Sequence, residues 1–240
     1  MKKILLLCAA VIFLTACGDS QGRNAVGMKG RVESVKDSTF SAAQSGAVAT
    51  KLLHVTVHRF NPDGQEVKYE RYEDGELHIA REYVYDGKML ICESSWDNYG
   101  GRRIDTLIEI QGDTQIWESK VKGLGPYWDE TTQYEKVVSD TYSRTTKPDY
   151  GTRIEEEWYD ADGNVIESKM TINNKLIDWV KSEFQDGNEI KKEYLKGIFE
   201  QSVMTFSYSD YDDKGNWTKE IYYFDGKPKT ITKREIKYVD

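Results

Sequence analysis

"YDDKGNWTKEIYYFDGKPKTITKREIKY", Tyr211 to Tyr238, alternates aromatic and charged residues and breaks at Gly215 and Gly226. Read with a period of two, Trp217–Phe224 and Thr230–Tyr238 are strands. Asp225-Gly226 supplies the positive φ of a tight hairpin turn between them. Pro228 falls where no ladder donor is needed. In the second strand Lys229, Ile231, Lys233, Glu235 and Lys237 take one face, and Thr230, Thr232, Arg234, Ile236 and Tyr238 the other. Such strands are wet on at least one side and pair antiparallel. Their Lys and Glu oppose edge-to-edge aggregation and support cross-strand pairs worth about 0.2–1 kcal/mol each.

The rest of the chain follows the same rhythm. Turn signals recur at "NPDG" (Asn61–Gly64), "YEDG" (Tyr72–Gly75), "VYDG" (Val84–Gly87), "DNYGG" (Asp97–Gly101), "DADGN" (Asp160–Asn164) and "QDGN" (Gln185–Asn188). Between them, Leu53, Val55 and Val57 share one face, as do Ile166, Ser168, Met170 and Ile172. No helical stripe is sustained over three turns. The expected fold is all-β: an antiparallel hairpin-repeat meander forming a curved, elongated sheet, with a closed barrel or a sandwich as the alternative. Lys122–Arg153 lacks the rhythm and holds two of the four prolines, so 122–153 reads as an irregular insertion with one strand near Thr131–Val138. The repeat domain is expected over 31–240.

Composition agrees with a thin core. Hydrophobic residues make up 38%, charged residues 31%, yet aromatics reach 12%, too many for a disordered chain. Lys2 and Lys3 precede an apolar run, Ile4–Leu14, that is too short to span a bilayer and suits a signal peptide over 1–16. Leu14-Thr15-Ala16-Cys17 resembles the bacterial lipobox. That resemblance implies lipidation of Cys17, whose thiolate is nucleophilic enough for alkylation, with several acyl chains giving a stable anchor. Gly-rich 17–30 reads as a flexible tether. Loss of Lys2 and Lys3 takes the net charge from −8 to about −10, which argues against nucleic acid as a partner. Cys8 leaves with the signal and Cys17 is lipidated, so Cys92 is alone and is expected to be a buried, inert thiol.

"KGRVESVKDSTFSA" (Lys29–Ala42), "VHRFNPDGQEVKYERY" (Val57–Tyr72), "YDADGNVIESKM" (Tyr159–Met170) and the closing stretch together resemble Bacteroidetes-type lipoproteins with degenerate YD/RHS-like repeats, and more distantly MORN-variant repeats. "FQDGNE" departs from the pattern, its turn one residue short. The resemblance implies a β-repeat lipoprotein of the cell envelope, at the outer membrane by preference, and carries no reaction with it.

No motif supports catalysis or a cofactor. "DADGN" resembles a calcium loop, but the position of the bidentate acid is Thr171, so Asp160 reads as a turn residue bonding nearby backbone N–H, as do Asp212 and Asp213. His54 and His58 share a strand face but stand roughly 13 Å apart and cannot hold one ion; no metal is expected. Glu155 and Glu157 face one way and Glu156 the other, as dozens of carboxylates do. The tryptophans read as packing, except Trp128, which with Tyr127 lies in the irregular insertion, where binding residues concentrate. The expectation is a lipid-anchored binding or structural module for a protein or glycan. Alternatives are an immunity-like protein capping a toxin through its acidic face and, more remotely, an envelope enzyme acting on glycans.

Overall fold

The computed structural model describes residues 28–43, 48–122, 130–139, 141–147, 152–197, 199 and 201–239. Among them run sixteen strands and no helix. The first eight are β1 (Val32–Ala42), β2 (Ala49–Phe60), β3 (Glu66–Glu73), β4 (Glu76–Asp86), β5 (Met89–Asp97), β6 (Arg102–Gln111), β7 (Thr114–Lys122) and β8 (Glu130–Val138). The remainder are β9 (Tyr142–Lys147), β10 (Arg153–Tyr159), β11 (Val165–Ile172), β12 (Lys175–Gln185), β13 (Asn188–Lys196), β14 (Val203–Tyr211), β15 (Trp217–Phe224) and β16 (Lys227–Tyr238). Each pairs antiparallel with its sequence neighbours, and β1 pairs with β16, so the sheet is a closed up-and-down barrel. This corrects the expected open, curved sheet in favour of the barrel named beside it. A period of two is the same in both forms; what decides is the non-local register from Val32↔Tyr238 to Ser41↔Thr230.

Two turn types recur among the hairpins. Asp74-Gly75, Asn173-Asn174, Asp186-Gly187 and Asp225-Gly226 are two-residue turns with positive φ at both positions, the twist that suits flanking strands. The five-residue turns use a side chain instead. Asp160 Oδ1 accepts the N–H groups of Asp162 and Asn164, each at 2.9 Å. Asn61, Asp97 and Asp212 repeat the arrangement, so Asp160 and Asp212 do the turn work expected of them.

The register assigns every strand two faces. Val35, Asp37, Thr39, Asp105, Ser119, Ser143 and Thr232 are buried and fall on one side, the lumen. Lys36, Arg59, Lys120 and Glu183 fall on the other and are largely exposed. Strands in extensive contact are all ladder neighbours, so among the described residues the fold is one layer of sheet curled into a ring. Among the described residues a small apolar cluster forms where the chain ends meet: Met28, Val32, Val35 and Phe60, with Ile236 and Tyr238 against them. With sixteen strands, β1 starts and β16 ends at the same mouth, called here the terminal mouth. Connections longer than five residues (43–48, 123–129 and 197–202) join strands at the far mouth.

Closure is held on both sides of the wall, with unequal strength. Inside, Arg234 forks onto Asp37 at 2.7 and 2.6 Å with side chains only 7% and 11% exposed, and its guanidinium stacks 3.5 Å above the Trp217 ring. Outside, Lys36 meets Glu235 at 3.0 Å, with 49% and 70% of the side chains exposed. Asp37→Ala strands a buried guanidinium and is expected to cost about 3–5 kcal/mol. Lys36→Ala should cost under about 1 kcal/mol. Urea denaturation of both variants followed by circular dichroism checks the contrast.

Candidate functional site

Cys17, Tyr127 and Trp128, the residues singled out in the sequence, lie outside the described residues, as do the signal and most of the tether. The remaining tryptophans do structural work. Trp117 and Trp217 are buried. Trp158 and Trp179 lie on the outer wall with Lys169 between them, 4.7 and 4.8 Å from the ring centres. Cys92 is half-buried on the outer wall rather than in a core, its Sγ 4.0 Å from Thr106 Oγ1. His54 and His58 both face the lumen, where His58 Nδ1 bonds Glu66 Oε1 at 2.6 Å. Glu155 binds Lys147 and Arg153, and Glu157 accepts the Tyr159 hydroxyl at 2.6 Å. Among the described residues no group of three or more His, Cys, Asp or Glu could hold a metal ion.

The lumen is lined by phenols and paired ions. Tyr69, Tyr83, Tyr134, Tyr159, Tyr208 and Tyr222 point inward by register. Arg103 bonds Asp105 there at 2.9 and 3.0 Å. Burial pushes the phenol pKa values up, to about 12 for Tyr83 and Tyr159. The Glu220 carboxyl is likewise raised by burial, against the pull of Arg234.

The best-formed recess lies where the wall divides. β13 and β14 pair only through Lys191↔Thr205, Lys192↔Met204 and Glu193↔Val203. Continued, that register would join Ile190 with Phe206, Glu189 with Ser207 and Asn188 with Tyr208, and these pairs are absent. The cause is local. Ile190 is an extra residue opposite β12, whose ladder jumps from Glu183↔Lys191 to Phe184↔Glu189, and a bulge bends its strand. Asp210 on β14 has φ 55°. The strands therefore splay toward the terminal mouth around a cavity of about 450 Å³, lined among others by Ile190, Phe206, Tyr208, Trp217, Asn188 and Arg234. The Tyr208 hydroxyl donates across the split to the Glu189 carbonyl at 2.7 Å. The only trace of this in the sequence is the "QDGN" turn, one residue out of step with its repeat.

A latch closes the floor of this recess. Asn216 accepts the Lys29 N–H at 2.7 Å and donates to the Lys29 carbonyl at 2.8 Å and the Tyr238 hydroxyl at 2.7 Å. Tyr238 in turn donates to Asp212. Burial works against the Asp212 carboxylate, yet the Tyr238 hydroxyl and the N–H groups of Asn216 and Lys214 hold its pKa below the usual value. Tyr238 rises to about 12, through burial and then the Asp212 bond.

These shifts fix the sign of the response to base. A phenol whose folded pKa is raised contributes stability that is present below pH 10 and lost as pH climbs through the folded value. Barrel stability should therefore fall steadily between pH 10 and 12, as Tyr83, Tyr159 and Tyr238 are forced to ionise. Absorbance of phenolate at 295 nm checks it: in the native chain part of the titration lags the urea-unfolded chain by up to about two pH units.

No protein-family model matches the sequence, and no curated protein matches it. Among solved structures, a porin-like protein from Bacteroides uniformis is similar in fold, with a TM-score of 0.50 at 9% identity over 86% of this chain and 96% of that one.

Proposed function

We infer that this chain is a water-exposed hollow barrel, held at the cell envelope by lipid on Cys17, that binds a ligand rather than transforming one. The observation that carries the reading is the charge of the outer wall. A barrel that spans a bilayer presents an outward apolar band about 25 Å tall, and each Lys or Arg at mid-depth costs about 2–4 kcal/mol. Here the outward positions in the middle of the strands include Glu118, Arg144, Glu156, Lys169, Lys181 and Lys233. Burying the four cations alone in lipid would cost on the order of 8–16 kcal/mol, comparable to the whole stability of a domain. The wall is built for water on both sides, so the membrane link falls to the N-terminus. The lipobox resemblance and the terminal mouth, from which that N-terminus leaves, support the same arrangement. The recess between β13 and β14 is the binding site this reading favours, because it gathers aromatic and amide groups in a cavity of ligand size.

Cell fractionation tests the reading. The native chain should sediment with membranes and partition into detergent. Cys17→Ala should appear in the soluble fraction, folded and monodisperse without detergent. A Cys17→Ala chain that stays in the membrane, or that needs detergent to remain in solution, places the strands in the bilayer and ends the reading.

A further inference from the structure

The divided wall leaves an opening of a particular chemistry. Barrels normally abolish strand edges. In this one, 188–190 and 206–208 remain strand, each held by its other neighbour, β12 or β15, but without the ladder pairs they would make with one another. A side-chain strut, Tyr208 to the Glu189 carbonyl, stands where a ladder would be. The missing pairs leave room beside the strut, part of the cavity of about 450 Å³. Main-chain groups on two facing edges, above a floor of alternate apolar side chains, are what an extended peptide uses when it adds as a strand. Phe206 and Tyr208 on β14, with Ile190 opposite, provide that floor.

We propose that the split between β13 and β14 is a binding site for an extended polypeptide segment of a partner, neutral to basic in charge, which adds as a strand. The charge follows from the lip of the cleft. Asp186 lines it, and Asp210 near the end of β14 and Asp212 and Asp213 on the turn that follows stand beside it. Three cations stand near these four acids: Arg234 is committed to Asp37, Lys214 lies over the Tyr238 ring at 3.8 Å, and Lys29 lines the cleft beside Gly215, so the acids are in the majority. The span of the missing pairs admits a core of three or four residues, about 10–13 Å of strand, so affinity depends on the flanking side chains as well. This rests on the reading of the barrel as a binding module but is separable from it: fractionation decides where the wall sits, and the measurements below decide what enters the cleft.

The test uses the full-length lipidated chain in detergent micelles, panned against a displayed library of random ten-residue peptides. Native-state hydrogen exchange is then recorded with and without synthetic copies of the enriched sequences. Expected are peptides with alternating apolar residues and net positive charge. Amides facing the split within 188–190 and 206–208 should exchange far faster than those between β14 and β15 in the free chain, and slow at least about tenfold when peptide is bound. In a Cys92→Ser background, Ile190→Cys/Phe206→Cys should bind peptide about tenfold more weakly once oxidised and recover on reduction; if that pair does not oxidise, the exchange measurement on the native chain decides. Slow exchange at the split in the free chain, bound peptides that leave those amides unprotected, or an oligosaccharide that occupies the cleft while no peptide is enriched would each overturn the proposal.

Discussion

Everything in this fold depends on β1 finding β16. The two strands are separated by nearly the whole chain, and their pairing converts a meander with two raw edges into a ring with none. The Arg234 fork on Asp37, flattened against Trp217, sits inside that seam where little water reaches it. The small core lies at the end of the same seam. Closure therefore joins the least hydrated ion pair, the best-packed apolar cluster and the longest-range ladder in one place. Contacts of such sequence separation are slow to form, and local hairpins are expected to precede the ring.

A single-layer wall explains the composition. With one sheet closed on itself and no second layer packed against it among the described residues, few positions need burying, and a chain that is 38% hydrophobic and 31% charged can still fold. Its cohesion comes from ladder hydrogen bonds and from many cross-strand pairs of modest worth. Lysines laid over aromatic rings add to these, as between Trp158 and Trp179. Charges on the outer wall are mostly answered by a neighbour on the next strand or two residues along, as Glu167 is by Lys169 and Lys191 by Glu183.

Hairpins were legible because turn chemistry is local. Asp225-Gly226 and the side-chain-bonded turn at Asp160 follow from a few adjacent residues, and the alternation around them assigns the two faces. Closure was not legible: Lys36, Asp37, Arg234 and Glu235 look like any charged strand residues until the ends of the chain are brought together. The split between β13 and β14 was hidden for a different reason. One extra residue at Ile190 shifts no composition and leaves only the "QDGN" turn out of step, yet the ladder to β14 ends beside it. Cys92 misled because its apolar run, "KMLIC", signals burial only where another layer covers the strand, and the sheet here is a single layer. β9 arose in a stretch, 122–153, whose sparse glycines give no turn signal between it and β8.

An even strand number has a practical corollary for anyone labelling this protein. Entry and exit share one rim, so a tag appended after Asp240 is carried at the rim where β1 begins, and a bulky fusion there crowds that end of the barrel. A guest inserted in the 123–129 connection instead projects from the opposite rim, across the full height of the cylinder. The two sites thus serve as a near and a far reporter of how the cylinder stands on whatever surface carries it.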